Sequence, residues 1–257
     1  MLVSLLAFVT GILVGLTGTG AGVILTPLLL LATPFHALTV IGTDLMSGAV
    51  TKLAGVFEHR KLGQVRWNLA GYLLAGSVPG SVAGILFIHG LKGWMSEAEL
   101  DHSLKILLGL TLFGVSFFLP FLRGKTLHND SGAYSNLSLS NGGLKLAAVG
   151  AIVGFLVSMT SVGSGSLLMI SLLVLVPLPL GSLVGTDILF GLVTTAVAGS
   201  LHWEMGNFNS SLFFLLVAGE VPGVIIGSRL TRRIPERYIT WLFSILYFSL
   251  GARLLVG

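Results

Sequence analysis

The amino-acid sequence predicts an all-α polytopic membrane protein made of two inverted-topology repeats, each of about five hydrophobic segments. Three observations predict it. The 257 residues are 54% hydrophobic and only 9% charged, against roughly a quarter charged in a soluble domain. Met1 to Thr43 and Leu146 to Thr186 contain no Asp, Glu, Lys or Arg. As a single helix each stretch would run roughly 60 Å, about twice the hydrocarbon thickness, so each must fold back on itself. Finally, the chain matches itself at a shift of 143 residues, without a gap, over roughly Gly11 to Phe87.

The register of that match is fixed by residues that seldom align by chance. Gly20 and Gly22 fall on Gly163 and Gly165, Pro34 on Pro177, and Gly42-Thr43-Asp44 on Gly185-Thr186-Asp187. His59 falls on His202, Gly63 on Gly206, and Val78-Pro79-Gly80 on Val221-Pro222-Gly223. An internal repeat of this kind decides the architecture before any local assignment does.

Each half reads as five apolar segments. In the first half, residues 1–122, they cover about 1–17, 20–33, 38–57, 67–89 and 103–122. In the second, residues 144–257, they cover about 144–160, 163–176, 181–201, 211–230 and 237–256. Between them, 123–143 is rich in Ser, Asn and Gly and reads as a polar linker. The first two segments of each half are shorter than the ~20 residues usually needed to span. They fit either two spans or a short re-entrant helix pair.

Loop charge orients the halves. The loop after the third segment carries Arg60, Lys61 and Arg66, while its repeat mate around Glu204 carries no Lys or Arg. The last loop carries Arg229, Arg232, Arg233 and Arg237, while its mate sets Lys92 and Lys105 against Glu97, Glu99 and Asp101. The positive-inside tendency then puts equivalent loops on opposite sides, the mark of an inverted repeat. Both termini are expected outside the cytoplasm.

Composition excludes several functions. With no cysteine there is neither disulfide nor thiolate chemistry. The net charge of +4 and pI near 9.6 come from short loops between apolar runs, so they report topology rather than nucleic-acid binding. The first apolar run begins without a basic flank or an Ala-x-Ala site and is expected to belong to the fold. No His pair has metal-ligand spacing, no Gly-rich stretch ends in Lys-Ser/Thr, and no cofactor is implied. Gly-Ser-Gly-Ser without a positioned His and Asp does not make a hydrolase, and no enzyme is expected.

The chemistry is expected where the repeat breaks its own helices. The short segments meet at Thr17-Gly18-Thr19-Gly20-Ala21-Gly22 and at Thr160-Ser161-Val162-Gly163-Ser164-Gly165-Ser166. Short, Gly-interrupted segments at matching places in two halves point to a transporter's binding site. A helix starting at Gly20 or Gly163 would aim free N–H groups and a positive dipole end into the membrane interior, which suits an oxyanion. Thr17, Thr19, Thr160, Ser161, Ser164 and Ser166 would add hydroxyls. Close packing of helices on small residues is the alternative.

Three acidic residues are candidates for coupling to a proton or to Na⁺. Asp44 and Asp187 follow Gly-Thr at the expected start of the third helix, where they fit an N-cap or an ion site equally. Glu220 lies mid-segment beside Pro222, where an easily neutralised carboxyl suits a proton carrier. Its repeat mate is Ser77. Pro79 and Pro222 are expected to kink the fourth helix of each half or to line a cavity. Lys52 is expected to snorkel towards the nearer membrane surface, an electrostatic lure for anions being the alternative, and His59 and His202 to sit as cations at helix C-termini.

At these residues the chain resembles the TauE/SafE family of sulfite and organosulfonate exporters. The resemblance is carried by the Gly-rich turn after the first segment, GTD, HRKLGQVRW and VPGSVAG. The second half repeats the turn, GTD, the His–Gly spacing and VPG. It covers nearly the whole chain apart from the linker. What it implies is a secondary transporter of the bacterial inner membrane that moves a small sulfur-containing anion by alternating access. The partners are then that anion, the lipid bilayer and a coupling H⁺ or Na⁺. A passive anion channel, a membrane enzyme of sulfur metabolism and a scaffold subunit are the competing expectations.

Overall fold

Apolar chain in lipid has one local way to satisfy its backbone, which is to close its hydrogen bonds within a helix. The structure, a computed structural model, describes residues 2–17, 22–61, 63–126, 142–176, 178, 180–230 and 236–256. Among them are ten α-helices and no strand. In chain order they are α1 (Leu2–Thr17), α2 (Gly22–Ala32), α3 (Ala37–Lys61), α4 (Trp67–Lys92) and α5 (Glu97–Thr126). Then come α6 (Gly143–Thr160), α7 (Leu167–Leu175), α8 (Leu180–Glu204), α9 (Ser210–Leu230) and α10 (Glu236–Val256).

Six of these are long and apolar enough to cross a membrane, within α3, α4, α5, α6, α8 and α9. With 11 and 9 residues, α2 and α7 reach only about 16 and 14 Å, half a hydrocarbon core.

Helix ends follow local chemistry that hydropathy does not register. α5 begins at Glu97, earlier than its apolar run, because Ser96 and Glu99 form a capping box. The Glu99 amide donates to the Ser96 hydroxyl at 3.3 Å, and the Ser96 amide donates back to Glu99 Oε2 at 2.8 Å. α5 also continues through Thr126, past the expected start of the linker, most of which lies outside the described residues. α8 stops in a Schellman turn at Gly206, whose φ of 77° requires glycine. Gly206 N–H donates to Trp203 at 2.9 Å and Asn207 N–H to His202 at 2.8 Å. Gly63, at the equivalent place after α3, has a φ of 67°.

Packing runs mainly between the two halves. α1 lies along α9 and α6 along α4, while α3 packs on α8 and α5 on α10. Glycine sets the separation of the first two pairs. A methyl group at Gly76 would fall 1.8 Å from the Ala147 carbonyl oxygen, and one at Gly219 would fall 2.5 Å from that of Ser4. Gly76 and Gly219 are 143 residues apart, as are Ser4 and Ala147.

The same reciprocity holds where the α3–α8 pair meets the loops. Asn209 N–H donates to Thr43 Oγ1 at 3.0 Å, and Arg66 N–H donates to Thr186 Oγ1 at 3.1 Å. Thr43 lies near the start of α3 and Arg66 follows its end. At 25 residues, α3 is about 37 Å long, so these two equivalent loops sit at opposite ends of the bundle.

The outward faces are apolar. Leu86, Phe117, Phe214, Ile245 and Phe248 are all more than half exposed, a surface suited to hydrocarbon and not to water. Polarity is turned inward: Asp44, Asp187, Glu220, Thr26, Ser47 and Thr194 are buried.

Candidate functional site

A chain that leaves a helix inside a packed bundle must satisfy its freed backbone groups there, and the second Gly-rich crest does so. α6 ends at Thr160, and Ser161 turns back with a φ of 60° while its amide donates to Val157 at 2.8 Å. Gly163 and Gly165 follow at φ 138° and 99°, conformations closed to residues with a Cβ. Residues 160–166 are all buried. Thr160 spends its hydroxyl on Leu156, at 2.7 Å, and also accepts from the Val162 amide at 3.2 Å.

The outward-turned groups of this crest are met by charged residues from both halves. Ser161 Oγ donates to Asp44 Oδ2 at 2.7 Å, and the same oxygen accepts from Thr26 Oγ1 at 2.5 Å. Gly165 N–H donates to Asp187 Oδ1 at 3.0 Å. Lys52 Nζ donates to Ser164 Oγ at 2.7 Å. Ser166 stands at the N-cap of α7 without a side-chain capping bond, and its buried hydroxyl has no partner. Among the described residues two further buried oxygens are unpaired, Asp44 Oδ1 and Glu220 Oε2. A group able to bond these atoms fits the arrangement, because unpaired buried polar atoms are costly.

Glu220, from α9, joins through Ser47. The Ser47 hydroxyl lies 3.1 Å from the Asp44 carbonyl oxygen and 3.4 Å from Glu220 Oε1. Repeat symmetry is broken at two places here. Lys52 has Thr195 as its mate and Glu220 has Ser77. The other half carries instead a neutral contact, Ser77 Oγ to Thr194 Oγ1 at 3.0 Å.

The first crest is described only in part. Thr19 and Gly20 lie outside the described residues, as does the side chain of Thr17. Gly22, the first residue of α2, abuts the second crest. A methyl group on it would come within 2.3 Å of the Ser161 carbonyl oxygen and 2.9 Å of Asp44 Oδ2. Gly22 therefore meets the second crest beside Asp44.

Three expectations are corrected. Asp44 and Asp187 do not cap their own helices, which begin seven residues earlier at Ala37 and Leu180. The cap of α3 comes from α5, where the Asp101 carboxylate accepts from the Ala37 amide. Lys52 does not snorkel; its stem runs over Gly191 of α8 and its ammonium reaches the crest. His202 is not a cation at a helix end. It is buried, with Nε2 donating to the Ser158 carbonyl at 2.8 Å and Nδ1 accepting from Asn207 Nδ2 at 3.3 Å. One donor and one acceptor make the neutral ring. Pro79 and Pro222, expected to kink the fourth helix of each half or to line a cavity, lie within α4 and α9 and are exposed, while Gly80 and Gly223 face the neighbouring helices. The side chain of His59 lies outside the described residues.

Thr26 and Ser47 were missed, and each carried a faint signal. Thr26 follows Gly22 by four residues and Ser47 follows Asp44 by three, helical spacings that share a face.

Comparison with known proteins matches residues 3–254 to the family described as sulfite exporter TauE/SafE. The chain belongs to the TauE/SafE family. Its relatives there are similar along almost their full lengths. The probable membrane transporter protein YjnA of Bacillus subtilis (strain 168) is 31% identical over 253 residues, 98% of each chain. The probable membrane transporter proteins YdhB and YunE of the same organism are 27% and 25% identical. They cover 92% and 97% of this chain, and 92% and 95% of their own lengths. No solved structure matches. Membership of this family, together with six apolar helices of spanning length, makes the chain a multi-pass membrane protein of transporter type.

Proposed function

We propose that this chain is a secondary transporter of a small sulfur-containing anion, of the sulfite or organosulfonate type, working by alternating access. The observation that carries the proposal is the buried, non-helical crest of Ser161–Ser166, gripped by Asp44 and Lys52 from one half and Asp187 from the other. Irregular backbone at membrane depth is tolerated where it lines a solute site. The relatives' names support transport rather than catalysis.

The two halves are taken as oppositely oriented repeats, 1–122 and 144–257, joined by the linker 123–143. Reciprocal contacts between residues 143 apart support this, as do equivalent loops at opposite bundle ends. The short α2 and α7 then make the returning arms of re-entrant pairs. Thr17, Thr19, Gly20 and Gly22 supply the first half of the anion site, and Thr160, Ser161, Gly163, Ser164, Gly165 and Ser166 the second. Asp44, Asp187 and Glu220 provide coupling to protons or Na⁺. With Arg60, Lys61 and Arg66 on the cytoplasmic side, both termini face outward.

Reconstituted liposomes test this with sulfite, sulfate, thiosulfate, sulfoacetate and methanesulfonate as probes. A pH or Na⁺ gradient is expected to drive at least one of these anions against its own gradient. Flux that no ion gradient drives uphill would make the protein a channel. Chemical conversion of the probe would make it an enzyme.

A further inference from the structure

Lys52 is the single basic side chain that the described structure brings to the crest, where Asp187 and Asp44 bond the nearby Gly165 and Ser161 and Glu220 joins Asp44 through Ser47. None of the three carboxyls holds Lys52 in a hydrogen bond. The ammonium has three donors, and the bond given to it is the one to Ser164 Oγ. Its remaining N–H groups, the unpaired hydroxyl of Ser166 and the unpaired oxygens of Asp44 and Glu220 are the unspent polar capacity of this interior. Lys52 and Asp44 reach the site from α3, Asp187 from α8 and Glu220 from α9, while Ser166 stands at the N-cap of α7. Asp101 of α5 and Lys145 of α6 belong to the bundle ends, and α2 carries no charge.

We propose that Lys52 is the charge partner of the transported anion and that its transfer from the carboxyl cluster to the anion obliges the cluster to bind one proton, making transport an anion–proton symport. The inference rests on the transport reading above and names its coupling.

Charge conservation in a low-dielectric interior carries it. Uncompensated buried charge is expensive, so a site of one ammonium and three carboxyls is neutral when one carboxylate balances Lys52 and the other two are protonated. An entering monoanion claims the ammonium. The carboxylate left behind then takes one proton, and the loaded site is neutral again. Release reverses both events on the other side. Asp44 and Glu220, joined through Ser47 and each with an unpaired oxygen, suit the two protons held throughout, and Asp187, bonded to the crest at Gly165, suits the one that comes and goes. Placement suits Lys52 as well, since Ser164 lies on the other half of the molecule and rocking of the halves would move the ammonium relative to the crest.

The test is proton entry measured with a pH dye trapped inside liposomes carrying the full-length protein. Methanesulfonate is the probe, because it is a fixed monoanion and brings no proton of its own. Wild type is expected to acidify the interior as methanesulfonate enters, with about one proton per anion. Lys52→Met should lower uptake at least roughly tenfold, about 1.4 kcal/mol of lost anion affinity, and Lys52→Arg should restore part of it. Melting temperatures of both variants establish that they are folded. Anion uptake without acidification, uptake driven by Na⁺ instead, or full uptake by Lys52→Met would overturn the symport while leaving transport intact. If Lys52→Met does not fold, the wild-type proton count decides alone. Failure of wild type to move any of sulfite, sulfate, thiosulfate, sulfoacetate and methanesulfonate would instead defeat the transport reading and this inference with it.

Discussion

Replacing Gly76 by leucine is expected to prevent the protein from being purified as a folded, monodisperse species in detergent. The position has no room: even a methyl group would fall 1.8 Å from the Ala147 carbonyl oxygen, with the backbone of Ala151 close behind. Overpacking a core usually costs about 1–3 kcal/mol where side chains can shift. Here the obstacle is the backbone of α6, so α4 and α6 must separate along their seam and the cost exceeds that range. Gly71 on the same helix is the control. It is exposed, with nothing within 4 Å of an added Cβ, and Gly71→Leu is expected to melt within a few degrees of wild type. Equal melting temperatures for the two variants would refute the seam as drawn.

The second large effect is expected at Asp187. Its carboxylate accepts from Gly165 N–H, and Lys52 donates to Ser164, the residue before Gly165. Asparagine keeps an acceptor for Gly165 but removes the charge, whereas alanine removes both. Asp187→Asn is therefore expected to fold like wild type and lose transport by roughly tenfold or more, the loss expected when one member of a buried charge set is neutralised. Asp187→Ala should in addition lose about 1–3 kcal/mol of stability by stranding a buried N–H. Initial uptake rates and melting curves separate the two. Wild-type transport by Asp187→Asn would reduce Asp187 to a structural acceptor.

Much of the helical framework was legible because membrane helices are written in composition. The charge-free stretches up to Thr43 and from Leu146 to Thr186 had to fold back, and Gly63 and Gly206 marked two helix ends in register. The crest was legible for the same reason, since Gly163 and Gly165 adopt backbone conformations that only glycine takes easily. What stayed hidden depended on contacts between distant segments. The start of α3 at Ala37 lies within a residue of its expected apolar run, but its cap was hidden, because it is Asp101, more than sixty residues away. The fate of Lys52 could not be read locally either. A long cationic side chain serves equally to snorkel or to cross to a neighbour, and the open surface of Gly191 on α8 decides it. His202 was misjudged because its partners, Ser158 and Asn207, come from another helix and from the turn that follows.

In the proposed transport cycle an anion binds at the Ser161–Ser166 crest and is exposed there to each side in turn. The chain contains no cysteine, so one introduced thiol reports its own position. Ser166→Cys is nearly isosteric and breaks no hydrogen bond, because the Ser166 hydroxyl makes none. Labelling of that thiol by a charged, membrane-impermeant reagent, applied from either face of reconstituted vesicles, is the most direct test. The account predicts labelling from both faces and protection from both by the transported anion. Labelling from one face alone, or labelling that no sulfur anion slows, would contradict it.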